Sequence, residues 1–306
     1  MTDEQSLVQP PPVTEEWLAN RMVSVRRVDR GGTPTVFVHG LGGSALNWTD
    51  LGQLMAGRLD SWAIDLPGFG FSPPPRDGNY SLPGHASAVR DLIVERIGSP
   101  VHLFGNSMGG AISVLLAARH PELIRSLTLI SPALPGGRIT KNNMHLPVIA
   151  VPGAGERIVS RYLQVPADLR ARATVEVCFG DMDRMHPQRM DEAIEEVKRR
   201  DSLSYPADAF AQSTRGLIQA MLGRKGVDLQ KAVSNVTAPT LLLYGRRDRL
   251  VDPRNSSKLA ASFRDARVVV IPDSGHVAQM EHPEMVAGVW RDLIGSPRPQ
   301  VAAEPS

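Results

Sequence analysis

The sequence predicts an α/β protein: a mostly parallel, doubly wound sheet with a helical cap inserted late in the chain. Three observations predict it. Short apolar runs of strand length recur without strict polar alternation, the pattern of strands buried on both faces. Stretches of helical period follow several of these runs, and strands alternating with helices build a parallel sheet covered on both sides. The rhythm then breaks between Ala133 and Val236, a length unlike an ordinary connection of a few residues.

In chain order, the strand-like runs are Met22–Val25, Thr35–Val38, Trp62–Ile64, Val101–Phe104, Leu127–Ile130, Thr240–Tyr244 and Val268–Ile271. Helical patterns cover Ala88–Ile97, Met108–Arg119, Pro253–Phe263 and Pro283–Ile294. The last two begin with proline, which suits the first helical position because its missing N–H would be unpaired there anyway. Within the interruption, Asp191–Asp201 and Thr214–Leu222 are amphipathic and no strand pair is evident. The expected division is therefore a core of residues 15–132 and 237–295, a helical cap of residues 133–236, and flexible tails at 1–14 and 296–306, which are rich in Pro, Ser and Gln.

Composition narrows the function. The chain has 306 residues, 34 Lys plus Arg against 32 Asp plus Glu, and a formal net charge of +2. That balance creates no overall field for nucleic acid or an anionic membrane, and 5% aromatic residues are few for a platform that stacks bases. The single cysteine, Cys178, builds neither an internal disulfide nor a thiolate metal site; it is expected to be a small buried apolar residue, and the cytosol the compartment. Residues 1–14 lack a basic start with an apolar run, and Pro10-Pro11-Pro12 would interrupt a signal helix. No stretch of about 18 apolar residues is present, so no membrane span is expected.

The chemistry concentrates at Gly105-Asn106-Ser107-Met108-Gly109-Gly110. The motif G-x-S-x-G lies directly after one strand and directly before one helix, the setting it requires. A sharp strand-to-helix turn forces unusual backbone angles on the serine, and flanking glycines let neighbouring elements approach. The hydroxyl then stands at a helix N-terminus, where free N–H groups favour developing negative charge.

A serine hydroxyl needs a base, and the base needs an orienting group. His276 follows the last strand in Asp273-Ser274-Gly275-His276 and is the candidate base. His39, His102, His120 and His282 have plainer places at strand or helix ends. Asp248 follows the strand Thr240–Tyr244 and is the candidate acid, which gives the order Ser, Asp, His along one rim of a parallel sheet. Asp252 is the rival, although Asp252-Pro253 reads as a helix cap, and Asp273 reads as a turn residue. Ser131-Pro132, after the preceding strand, offers no carboxylate. The glycine-rich His39-Gly40-Leu41-Gly42-Gly43 follows the strand Thr35–Val38, and the N–H groups of Leu41 and Met108 are the candidate oxyanion donors. Neither a P-loop nor a dinucleotide fingerprint is present, so no cofactor is expected.

His39-Gly40-Leu41-Gly42-Gly43, Asp65-Leu66-Pro67-Gly68-Phe69-Gly70-Phe71-Ser72, Gly105-Asn106-Ser107-Met108-Gly109-Gly110, Gly245-Arg246-Arg247-Asp248 and Gly275-His276 together resemble the α/β-hydrolase family over residues 22–294. The resemblance implies an eight-stranded sheet with a cap after the sixth strand. Only one strand is evident before Thr35, so the family's first hairpin has no matching signal. Serine at position 107 separates the chain from the branches that carry aspartate there and act on halides or epoxides.

Three functions then stand. A serine carboxylesterase or lipase-like hydrolase would cleave a small-molecule ester or other acyl substrate with Ser107, His276 and Asp248. A carbon–carbon bond hydrolase of meta-cleavage dienoates is suggested by Gly-Asn-Ser-Met-Gly-Gly and by His276-Val277-Ala278-Gln279-Met280-Glu281-His282, although such enzymes usually carry Trp where Val277 stands. They also use a cap arginine, for which Arg157, Arg161, Arg184 and Arg189 are candidates. The third is a ligand receptor of hydrolase fold with little turnover. Met144, Met182, Met185 and Arg184 are the candidate substrate-binding residues of the cap, Met190 and Met221 being weighed with them; flexible thioethers suit an adaptable apolar wall, and a small cap also needs core.

Overall fold

All seven apolar runs form strands, and an eighth precedes them. The computed structural model describes residues 7–136 and 140–295. Its sheet contains β1 (Val13–Leu18), β2 (Arg21–Val28), β3 (Thr33–Val38), β4 (Leu59–Ile64), β5 (Val101–Asn106), β6 (Ile124–Ile130), β7 (Thr240–Gly245) and β8 (Ala266–Ile271). The order across the sheet is β1-β2-β4-β3-β5-β6-β7-β8. β2 is antiparallel to both β1 and β4, and the remaining pairs are parallel.

The unexpected strand corrects the reading of the amino terminus. Val13 and Thr14 fall in the segment expected to fray, yet they pair with Arg26 and Val25 of β2. The signal is weak because β1 is largely exposed. Its sequence Val-Thr-Glu-Glu-Trp-Leu buries only Leu18 fully, so it lacks the apolar face by which strands are recognised. Of the expected tails, residues 1–6 and 296–306 lie outside the described residues.

The uniform apolar character of the central strands follows from burial on both faces. Val36 and Val38 of β3 join one core with Leu103 and Leu242, while Phe37 joins the other with Phe104, Leu241 and Leu243. On the second face α1 (Thr49–Leu54) lies with the last helix of the chain, and three helices cover the first: α2 (Leu82–Leu92), α3 (Met108–Arg119) and, after the cap, α9 (Leu229–Asn235). Beneath the second face four aromatic residues meet: Trp48 stacks on Phe37 at 4.9 Å, Phe104 meets Phe37 edge-on at 5.0 Å, and Trp290 lies beside Phe104. The helix expected at Pro253–Phe263 is one short turn followed by α10 (Ser256–Ala260). α11 (Ala278–Glu281) and α12 (Pro283–Trp290) complete the fold.

Between β6 and β7 lie α4 (Leu146–Ile149), α5 (Ala154–Tyr162), α6 (Ala167–Cys178), α7 (Pro187–Asp201), α8 (Pro206–Met221) and α9. α6 and α7 share a small core of Ala171, Val175, Phe179, Met190 and Ile194. α4 and α5 pack on α8 around Ile149, Val159 and Ala211. α9 meets α8 and lies on the sheet. Its Leu229, Ala232 and Val233 belong to the main core beside α3, so the end of the 133–236 interval covers the sheet.

The topology fixes where a site can form. β3 leads through α1 to β4 on one side, whereas β5 leads through α3 to β6 on the other. Connections that diverge from adjacent parallel strands leave a crevice beyond their carboxyl ends. The loop of Gly40 and the turn of Ser107 meet there.

Candidate active site

Ser107 occupies the turn between β5 and α3 with φ 54° and ψ −118°, a conformation costly for a residue with a Cβ, by about 1–3 kcal/mol. Main-chain bonds hold it. Its N–H donates to the Ile130 carbonyl at 3.0 Å, and its carbonyl accepts from Gly110 and Ala133, each at 3.0 Å. The neighbouring glycines leave no space for a side chain: a Cβ on Gly105 would lie 2.4 Å from the Gly109 oxygen, and one on Gly109 would lie 2.2 Å from the Val38 oxygen. Sequence dictates the turn here through the only residue type that fits.

The loop after β3 abuts this turn. A Cβ on Gly40 would stand 3.1 Å from the Ser107 Cβ. Leu41 is half-buried and Met108 fully buried, and as the first residue of α3 Met108 has an N–H that no carbonyl within the helix can take. Gly42 has φ 76°, and its carbonyl accepts 2.8 Å from Nη1 of Arg200 on α7. Beneath the loop, His39 is wholly buried. Its Nε2 accepts from the Leu66 N–H at 3.0 Å, so Nδ1 carries the proton and donates to the Gly40 carbonyl at 2.7 Å. Burial pushes its pKa down to about 4, so it is a neutral strut. The following motif has a parallel logic. Buried Asp65 accepts from the N–H groups of Ala45 and Phe71 at 2.7 and 2.9 Å, and burial raises its pKa to about 6.

Asp248 and His276 meet at the same rim. Nδ1 of His276 lies 2.9 Å from Oδ2 of Asp248, and both side chains are buried. Oδ1 of Asp248 accepts from the Leu250 and Val251 N–H groups at 2.8 and 2.9 Å. Burial alone would raise this carboxyl's pKa, but the His276 ring and the Val251 N–H outweigh it and leave the pKa below the ordinary value; the Ser131 hydroxyl alongside adds to them without a well-formed hydrogen bond. Donation from Nδ1 leaves Nε2 as the basic nitrogen of the ring. The rival acids are engaged elsewhere: Asp252 caps the turn at Arg254, and Asp273 pairs with Arg247 on the surface.

Three further residues assemble the site without a sequence signal that singled them out. Nδ2 of Asn106 donates to the carbonyls of Ile130 and His276, each at 3.0 Å. Buried Glu281 accepts from Gly275 N at 2.5 Å, Ser274 Oγ at 3.2 Å, Gly180 N at 2.7 Å and Asp181 N at 3.1 Å. One carboxylate therefore joins the His276 loop to the cap. The His276 N–H donates to the Cys178 carbonyl at 2.6 Å, and burial raises the Cys178 thiol to about 12. The third is Arg200, hidden in a long charged helix that reads as solvated. Asn106 and Glu281 both stand inside motifs visible in the sequence, but His276 for the one and residues 180–181 for the other are far away in the chain.

The cap candidates are dispersed. Met144, Met182 and Arg184 are exposed, whereas Met185 packs in the small core that also takes Val277. Arg189 faces Asp50, with Nη2 at 2.6 Å from Oδ1, and also binds Glu192 and the Val8 carbonyl. Among the described residues no three His, Cys, Asp or Glu side chains are grouped to hold a metal ion, and no helix is long and apolar enough to cross a membrane.

The chain as a whole has counterparts among known proteins. The chain is 25% identical over 257 residues to a pimeloyl-[acyl-carrier protein] methyl ester esterase of Neisseria meningitidis, covering 84% of this chain and 91% of that protein. It is 27% identical over 266 residues to a monoacylglycerol lipase of Xenopus laevis, covering 85% and 75% respectively. Among solved structures, a 2-hydroxy-6-oxo-6-phenylhexa-2,4-dienoate hydrolase of Rhodococcus superposes with a TM-score of 0.75 at 19% identity, over 93% of this chain and 99% of that one. Residues 33–283 match the alpha/beta hydrolase fold family, and the chain belongs to it.

Proposed function

We propose that the chain is a cofactor-independent serine hydrolase that cleaves a carboxylic ester through an acyl-enzyme. The observation that carries this reading is the buried Asp248–His276 pair at 2.9 Å, on the rim where Ser107 holds its strained turn. Ser107 Oγ attacks the acyl carbonyl while His276 Nε2 takes its proton. Asp248 accepts the Nδ1–H and stabilises the imidazolium. The N–H groups of Leu41 and Met108 receive the oxyanion, the alcohol leaves with the proton from His276, and water activated by the same ring releases the acid. Sequence relatives named as an esterase and a lipase support an ester substrate.

The arginine candidates favour an ester over a dienoate. Arg189 is neutralised by Asp50 and Glu192, and Arg157, Arg161 and Arg184 are exposed. A fluorophosphonate probe tests the reading directly. It is expected to label the wild-type protein and to fail on Ser107→Ala; absence of labelling, or equal labelling of both, would overturn the hydrolase in favour of a ligand receptor. Turnover of p-nitrophenyl esters is expected to exceed that of a 2-hydroxy-6-oxo-dienoate, and the opposite order of kcat/KM would replace the ester by carbon–carbon cleavage.

A further inference from the structure

Seven of the fifteen exposed large apolar side chains among the described residues fall between residues 144 and 169. Scattered exposed apolar residues are ordinary, whereas a concentration marks an interaction surface. α4 and α5 lie side by side on α8 with Ile149 and Val159 turned inward. Outward they present Val148 at 53% exposure, Ile158 at 42% and Tyr162 at 48%, with Val165 and Leu169 following.

The arrangement around α5 is ordered. At about 100° per residue, Val159 marks the buried stripe, Ile158 and Tyr162 the exposed apolar stripe beside it, and Arg157 and Arg161 the stripe beyond. Arg157 and Arg161, with Lys141 and Arg172, are exposed, and none has a carboxylate partner among the described residues. The acid within α5, Glu156, is turned away and binds Arg215 on α8 at 2.7 Å, whereas Asp168 and Glu176 stand exposed on α6, so the face rests on the Arg157 and Arg161 pair. Apolar side chains that dip beneath headgroups, flanked by cations level with the phosphates, match an anionic lipid surface. A net charge of +2 gives no long-range field, but attraction at a bilayer surface acts within a Debye length and is set by the local cations.

The helices that carry this face rest on packing that reaches the site. Phe210 of α8 packs in the same cluster beneath α4 and α5, and its ring lies 3.1 Å from the Cβ position of Gly42 in the loop beside Ser107. We propose that the α4–α5 face docks the protein on anionic phospholipid bilayers and sets the site over acyl esters lodged in them. The substrate class rests on the ester-hydrolase reading; the docking surface does not.

Vesicle sedimentation tests it with the full chain. Phosphatidylcholine vesicles containing phosphatidylglycerol are expected to carry the protein down, phosphatidylcholine alone much less, and added salt to release it. Ile158→Asp with Tyr162→Asp, and separately Arg157→Glu with Arg161→Glu, are each expected to weaken binding about tenfold or more. Hydrolysis of a soluble short-chain p-nitrophenyl ester by these variants is expected to equal wild type, which also shows that they fold. No sedimentation with either vesicle, or undiminished sedimentation of both double variants, would overturn the docking surface. So would a concentration-dependent dimer that disappears in the Ile158→Asp, Tyr162→Asp variant without vesicle binding, since a second copy would then cover the face. Lipid binding without any ester turnover would leave the docking surface standing and remove the ester reading alone.

Discussion

The Asn106 side-chain amide donates 3.0 Å to the main-chain carbonyl of His276, and thereby fastens the turn that carries Ser107 to the loop that carries the proposed base. Both groups are buried, and the same amide also serves the Ile130 carbonyl. Asn106→Ala leaves the His276 carbonyl without this donor, while the Ile130 carbonyl keeps the Ser107 N–H, for an expected loss of about 1–3 kcal/mol of stability. With His276 freed to drift, kcat is expected to fall about tenfold or more while KM changes little. Urea unfolding and steady-state kinetics of the variant check both; an unchanged kcat would show that the bond serves the fold alone.

Glu281 extends the same principle to the cap. Its carboxylate gathers four donors from the His276 loop and from residues 180–181. Glu281→Ala strands those donors and is expected to cost about 3 kcal/mol or more, whereas Glu281→Gln keeps the shape but turns an N–H₂ group towards donors. Thermal unfolding is expected to rank wild type first, Gln second and Ala last. Equal melting of wild type and Ala would mean that the cap docks without this carboxylate.

Arg200 reaches from α7 to the Gly42 carbonyl at 2.8 Å, so the cap also steadies the loop that bears Leu41. Arg200→Met keeps much of the side-chain bulk and removes the donor. The expected outcome is a fall in kcat of about tenfold, of the order caused by loosening one oxyanion donor, with KM nearly unchanged. A normal kcat would separate the loop's order from α7.

Two buried aspartates give opposite dependences of stability on pH. Asp65 has its pKa raised by burial from the ordinary 3.8 to about 6, so its native form binds protons more readily than the unfolded chain. Its contribution is greatest below about pH 4 and is lost as the pH rises through about 6, by an order of about 3 kcal/mol. Asp248 has a lowered pKa; its contribution is present above its unfolded value and is lost as the pH falls through the lower native one. The difference in unfolding free energy between wild type and Asp65→Asn is therefore expected to slope between pH 4 and pH 6 and to be flat above. A flat difference throughout would show that Asp65 is ionised in the fold at ordinary carboxylate pH.

The α/β class and the serine turn are legible in the chain alone, because both are local. The central strands bury both faces and therefore read as plain apolar runs, and Gly105 and Gly109 are required wherever β5 turns into α3. β1 escaped because its Val-Thr-Glu-Glu-Trp-Leu sequence is largely exposed and shows little apolar face, whereas β8, also at an edge, keeps Val268–Ile271. Folding is what brings Asp248, and not Asp252 or Asp273, to His276, ties the surrounding loops through Glu281, Asn106 and Arg200, and lays α9 beside α3. These contacts join residues up to 170 positions apart, as Asn106 and His276 are. Hydrogen bonds and packing between such residues leave no periodicity in the chain, because they depend on distance after folding, and only a folded chain has those distances.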